Sequence, residues 1–255
     1  MFPTMGRGKR AGAKRPVHMF AVILAAGAVL LLIVPKIWAI PFSTAKIIIE
    51  VNATGGDAGL QISVDAAGWK RLQVFAPNGK RAILDVLGSG SLGRQGITEF
   101  FIESAEPSFD TFPLNAFFAR FPAGDYDFRG TTVDGQSLTG KATLTHAIPA
   151  GPVIVSPQEG QVVKLDPGMP VAIEWKAVTT PFQGTASGIK VVSYQVVVMR
   201  ESPTLRVYSV DLPAAATQVT VPAAFLEPGT VYKAEVLAIE AGGNQTISER
   251  AFQTK

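Results

Sequence analysis

Few side chains in this chain of 255 residues could do covalent chemistry. It has no cysteine and two histidines, His18 and His146. Thiolate nucleophiles, disulfides, cysteine-zinc sites and iron–sulfur clusters are therefore excluded. A serine–histidine–carboxylate triad outside the N-terminal segment would have to use His146, and no Gly-x-Ser-x-Gly nucleophile motif accompanies it. Histidine-held zinc would need further nitrogen or sulfur ligands. Paired carboxylates remain. Glu99 and Glu103 share one face of an extended 97–103 segment and flank Phe101. At strand rise their Cα atoms stand roughly 13 Å apart, whereas glycosidase carboxyl groups stand about 5–9.5 Å apart. A solvated strand face is the expectation, and the chain reads as a non-enzyme.

Calcium is the better inorganic prospect. Val51-Asn52-Ala53-Thr54-Gly55-Gly56-Asp57-Ala58-Gly59 is rich in oxygen ligands and bent by glycine. Hard Ca²⁺ takes about six to eight oxygens, and Asn52, Asp57 and Asp65 are the side chains in reach along the sequence. The stretch is faintly similar to the Ala-Thr-Asp-x-Asp-x-Gly segment of cadherin repeats, with Gly55 where the first Asp would stand. A plain glycine-rich turn competes with it. No other cofactor is expected, because Gly88-Ser89-Gly90 lacks the Lys-Ser/Thr ending of a phosphate loop. Trp69 and Tyr126 are the candidate ligand-binding residues, as glycan-stacking rings; half-buried sandwich lining is the alternative.

The net charge of +3 misleads about partners. Arg7, Lys9, Arg10, Lys14, Arg15 and Lys36 lie within residues 1–45, which hold no acidic side chain. Residues 46–255 carry 17 basic and 20 acidic groups, a net of −3. Nucleic acid is thus not an expected partner. The cationic stretch precedes the uncharged run 19–34, as in a secretory signal peptide. Ser43-Thr44-Ala45 offers a cleavage site and Ile37-Trp38-Ala39 a poorer one. An uncleaved anchor is the alternative, although a span wants about 20 apolar residues and the run reaches that only by including Pro35 and Lys36. The expected location is exported: periplasmic, cell-surface or secreted, or tethered with residues 46–255 outside the cytoplasm. The membrane would be met only through the N-terminal segment.

From Lys46 onward, short apolar runs alternate with Gly, Pro, Asn and Asp. Segments 46–51, 60–64, 69–75, 81–87 and 97–103 read as strands. A flexible loop is expected over 88–93. Segments 126–133 and 137–145 read as a hairpin around Asp134-Gly135, a type I′ signal. Leu114, Phe117, Phe118 and Phe121 mark one face of a short helix. Residues 100–121 hold seven of the 15 Phe, and a helix capping an open end of a sandwich is preferred to a ligand patch. Ile148-Pro149-Ala150-Gly151-Pro152 reads as a linker. Two sequons, Asn52-Ala53-Thr54 and Asn244-Gln245-Thr246, matter only in a eukaryotic secretory pathway.

The second half has a more specific grammar. Val171-Ala172-Ile173-Glu174-Trp175 alternates inward and outward residues and ends on Trp. Leu226-Glu227-Pro228-Gly229-Thr230-Val231-Tyr232 follows three further strand signals. The stretch resembles the Leu-x-Pro-Gly-x-x-Tyr opening of the penultimate strand in fibronectin type III domains, over roughly residues 150–255. The resemblance implies a core role for Trp175 and a tyrosine corner at Tyr232, marked by Leu226, Pro228 and Gly229. The insert 177–190 departs from compact members of that family. The first half is only generically Ig-like, through Phe121-Pro122-Ala123-Gly124-Asp125-Tyr126.

The resulting expectation is all-β: an N-terminal signal or anchor (1–45), an Ig-like β-sandwich with one short helix (46–147), a linker (148–152) and a fibronectin type III-like domain (153–255). The expected role is a non-catalytic exported binding or adhesion module for protein or glycan. A carbohydrate-active or accessory carbohydrate-binding protein and a structural spacer are the alternatives.

Overall fold

The computed structural model describes residues 38–166 and 168–255. The cationic and apolar parts of the expected targeting segment, within residues 1–37, lie outside the described residues. Among the described residues no helix is long and apolar enough to cross a membrane.

The first half runs β1 (Ile40–Pro41), β2 (Thr44–Asn52), β3 (Asp57–Phe75), β4 (Ala82–Leu87), α1 (Gly90–Gln95), β5 (Ile97–Glu103), α2 (Leu114–Arg120), β6 (Gly124–Thr132) and β7 (Ser137–Leu144). The second half runs β8 (Val153–Ser156), β9 (Gln161–Val163), β10 (Val171–Lys176), β11 (Val191–Arg200), β12 (Arg206–Pro213), β13 (Gln218–Val221), β14 (Val231–Glu240) and β15 (Gln245–Thr254).

The second half is a sandwich of a three-stranded sheet, β13-β10-β8, facing β12-β11-β14-β15. The residue alternation read from the sequence explains it. Val171, Ile173 and Trp175 turn inward from β10, while Tyr194, Val196 and Val198 do so from β11. The Trp175 and Tyr194 rings meet at 5.4 Å. Tyr232 is fully buried, and its hydroxyl accepts the Glu227 amide hydrogen at 2.9 Å. This is the expected tyrosine corner, and the sandwich is fibronectin type III-like.

The first half folds around β3, one continuous strand where the sequence pattern predicts two, 60–64 and 69–75. The 19-residue strand pairs with β2 along 57–65 and with β5 along 61–69. Beyond a register shift between Asp65 and Trp69 it pairs with β6 and β4. Small residues at Ala66, Ala67 and Gly68 let one continuous strand bend where an interruption was expected. β3 thereby belongs to both layers around one core. The expected loop over 88–93 instead contains the start of α1. Helix α2 forms as expected, and Leu114, Phe117, Phe118 and Phe121 all pack on the first core. The β6–β7 hairpin forms, but Gly135 alone has positive φ (89°), so its turn is not type I′. Gln136 N donates to Thr132 Oγ1 at 2.9 Å, and the Thr132 hydroxyl also reaches Asp134, which stabilises this other turn.

Two boundaries move. The fold begins before Lys46: β1 pairs with β7, and Phe42 is buried against Phe128 at 6.3 Å. A Cβ at Gly140 would stand 3.0 Å from the Phe42 ring, so the glycine makes the hollow that receives it. The expected cleavage stretch Ser43-Thr44-Ala45 thus lies within the folded body, with Thr44 opening β2. The expected linker 148–152 is packed, not free. Ile148 is fully buried in the first core, and Thr246 Oγ1 donates to Pro149 O at 2.6 Å.

The same contacts join the halves. β15 runs parallel to β2, pairing Gln245, Thr246 and Ile247 with Glu50, Val51 and Asn52. The four-stranded sheet of the second sandwich therefore continues into the first. The family-atypical insert 177–190 closes the junction. Phe182 N donates to Ile148 O at 2.8 Å, Ala150 N to Thr180 O at 2.9 Å, and the Phe182 ring packs 6.2 Å from Phe109.

Candidate functional site: an acidic face across the seam

Strand alternation dictates which side chains meet on the outer face of the shared sheet. On β2, Ile47, Ile49 and Val51 enter the core, so Glu50 and Asn52 point the other way. On β3 the inward set is Ala58, Leu60, Ile62 and Val64, leaving Asp57, Gln61, Ser63 and Asp65 outside. On edge strand β5 the outer set is Glu99, Phe101 and Glu103, registered with Asp65, Ser63 and Gln61. β14 and β15 add Glu235 and Glu249, which are paired in register.

Carboxylate oxygens of Glu50, Glu103 and Glu106 lie within 4.8 Å of one another. Gly59 makes the approach possible, since a Cβ there would fall 2.5 Å from Glu106 Oε1. The crowding shows in the proton affinities. Loss of water around the Glu106 carboxyl, with repulsion from Glu103, Asp57 and Glu50, pushes its pKa up to about 7. Burial raises that of Glu50, partly offset by the hydrogen bond from Gln245 Nε2. Burial, with Glu249 nearby, raises that of Asp57. Gln61 Nε2 donates to Glu103 at 2.8 Å. None of Glu50, Asp57, Asp65, Glu99, Glu103 or Glu106 forms an ion pair among the described residues. At the other end of β5, a groove of about 380 Å³ is lined by Thr44, Ser63, Asp65, Glu99 and Phe101.

The residues singled out in the sequence fare differently. Trp69 and Tyr126 are each 0% exposed, so neither offers a ring face to a glycan. Trp69 sits edge-on to Phe100 at 6.0 Å, and Tyr126 donates to Pro122 O at 3.0 Å. The latter is a second corner-like bond, and burial lifts that phenol to about 12. The expected calcium set does not assemble. Asn52 Oδ1 accepts from the Thr54 and Gly55 amides at 3.0 and 2.8 Å, forming an ordinary turn. Asp57 stands near Glu106 instead, and Asp65 lies eight residues along β3, roughly 26 Å away at strand rise. The sequon asparagine Asn244 is 1% exposed and closed to a glycan. His146 stacks on Phe118 at 4.1 Å and its Nε2 meets Phe121 O at 2.9 Å, a packing role.

Glu50, Glu106, Glu235 and Glu249 belong to no sequence motif. Glu50 carries a local signal, as the one acidic residue of β2, set between Ile49 and Val51. Glu106 is brought in through β2–β3–β5, whereas Glu235 and Glu249 are gathered only by the β2–β15 pairing. A larger concavity of about 710 Å³ lies over β11, β14 and β15, near Met199, Val231 and Lys233. Several of its charges are paired: Arg200 meets Glu227, and Lys233 meets Glu201 at 3.6 Å and Glu249 at 3.7 Å. On the acidic face Lys233 balances Glu235 and Glu249, whereas Glu50, Asp57, Asp65, Glu99, Glu103 and Glu106 have no such cation among the described residues.

No protein-family model matches the sequence, and no curated protein matches it. Among solved structures, the FN1–FN3 domains of chicken CNTN1 are similar at 11% identity and a TM-score of 0.30. That likeness covers 83% of this chain, which spans 64% of the CNTN1 segment's length. A two-domain fibronectin type III segment from chicken tenascin is similar at 14% identity and a TM-score of 0.27, covering 83% of this chain and 98% of that one. The sandwich assignment of the second half rests on its own strand order and on the Tyr232 corner.

Proposed function

We propose that the chain is an exported, non-catalytic binding module of the envelope or extracellular space, whose two sandwiches act as one rigid body. The observation that carries this reading is the parallel pairing of β2 with β15, which makes one sheet run through both halves. A fused sheet holds surface on the two sandwiches at fixed spacing, whereas a mobile linker would let that spacing vary. Burial of Trp69 and Tyr126 weighs against a glycan and toward a protein partner. His146, engaged in packing, supports a role without catalysis.

A structural spacer would share the rigid seam. The unpaired cluster of Glu50, Glu103 and Glu106 favours binding over spacing alone, because carboxylates at close range without a cation weaken a fold and are retained at a cost. Chemical unfolding followed separately at Trp69 and Trp175, each alone after replacing the other described tryptophans by Phe, tests the fused body. Coincident transitions are expected. Two separate midpoints would show independent domains and overturn the reading.

A further inference from the structure

Edge strand β5 presents a row of charge and a free backbone together. Its pairing partner is β3, and no other strand of the described residues covers its opposite edge. Glu99, Phe101 and Glu103 alternate along its outer face, and Phe101 is 59% exposed. Asp65 reinforces the Glu99 end, while Glu50 and Glu106 reinforce the Glu103 end. Lys46 stands in the Phe101 row but two strands away, roughly 10 Å. Other edges lack this imbalance: β12 carries both Arg206 and Asp211, and Asp85 of β4 is paired with Arg71 at 2.8 Å.

We propose that β5 is a docking edge for an extended cationic segment of a partner protein, which adds as a further strand with the pattern basic-x-apolar-x-basic. The free N–H and C=O groups supply strand pairing. Residues opposite one another on one face of a sheet are the interacting pairs, so two basic side chains would face Glu99 and Glu103 and an apolar one would cover Phe101. Charge complementarity selects this occupant over a second copy of the chain. An antiparallel β5–β5 pair that matched Phe101 with itself would set Glu99 opposite Glu103, a like-charge pair. The partner class rests on the binding-module reading above.

The test uses the full chain and a synthetic peptide, Thr-Arg-Thr-Val-Thr-Arg-Thr, titrated by calorimetry at low and high salt. Saturable binding that weakens with salt is expected. N-methylation of alternate peptide amides should abolish it, which simple charge attraction would not require. The double variant Glu99→Lys with Glu103→Lys should lose at least tenfold in affinity and should gain binding to the charge-reversed peptide with Glu in place of Arg. Both substitutions are on exposed positions, and an unchanged circular dichroism spectrum confirms the fold. Equal binding of the N-methylated peptide would overturn the strand-addition proposal. So would binding of Ca²⁺ without peptide binding, or self-association through β5 by sedimentation. Failure of the peptide with coincident unfolding transitions rejects the partner while leaving the fused body intact. Separate transitions with peptide binding retained reject the fused body and spare the docking edge.

Discussion

The side-chain oxygen of Asn244 accepts the Ile49 amide hydrogen at 2.9 Å, linking the last hairpin to the first long strand. Its nitrogen donates to the carbonyls of Thr145 and Ala147, each at 3.0 Å. One buried amide thus satisfies three backbone groups from two segments of the first half. Asn244→Ala would leave a buried N–H and two carbonyls without partners, at about 1–3 kcal/mol for the donor alone. The expected total loss is about 3 kcal/mol, read as a lowered urea midpoint. A loss under about 0.5 kcal/mol would mean that the seam does not depend on this residue.

Phe182 makes a second, separate tie. It belongs to the second half in sequence, yet it packs on the first core beside Phe109. Phe→Ala in a core costs about 3–5 kcal/mol, and this ring is half-buried, so about 2 kcal/mol is expected for Phe182→Ala. The variant should also speed proteolytic cleavage within 177–190. Wild-type stability and wild-type cleavage together would show that the insert is merely decorative.

How legible these features were depended on sequence distance. Periodicity marked Ile97–Glu103 and the α2 face, because strand and helix patterns are local. The order Trp175, Leu226, Pro228, Gly229, Tyr232 marked the second sandwich for the same reason. Bending at Ala66–Gly68 was read as a break, since small residues signal an interruption as readily as a bend. Pro149 and Pro152 were read as a linker because proline resists central strands, although it packs well against a neighbour that asks for no N–H. The acidic face was hidden most completely. Asp57 and Glu249 are neighbours only through a parallel pairing of strands from opposite ends of the chain.

Tyr232 offers a sharper test of the second sandwich alone. Its hydroxyl accepts the Glu227 amide hydrogen at 2.9 Å, and its ring stacks on Phe252 at 5.6 Å. Tyr232→Phe keeps the ring and removes the acceptor, so about 1–2 kcal/mol should be lost. Thermal melting of the variant checks this. The Val178 amide, held by the Tyr194 hydroxyl at 2.8 Å, provides a matched comparison through Tyr194→Phe. A neutral Tyr232→Phe would remove the corner from the features that hold this fold.

Stability should fall as pH rises from about 4.5 to about 7 through the ionisation of Glu106. Its folded pKa, pushed to about 7, lies above the 4.5 of an unperturbed glutamate. Between those values the folded state holds a proton that the unfolded state has released, so raising the pH favours unfolding. Glu50 and Asp57, both raised, act in the same direction. Asp85, lowered by its hydrogen bond with Arg71, and Asp125, lowered by Thr143 and Lys141, act oppositely, but below the ordinary range near 3.8. The window from 4.5 to 7 therefore belongs to the acidic face. Glu106→Gln cannot ionise, and its melting temperature should decline less across that window than that of the parent chain. Melting curves at pH 5 and pH 8 decide the point, and parallel declines in the two proteins would show that Glu106 is not the group that titrates.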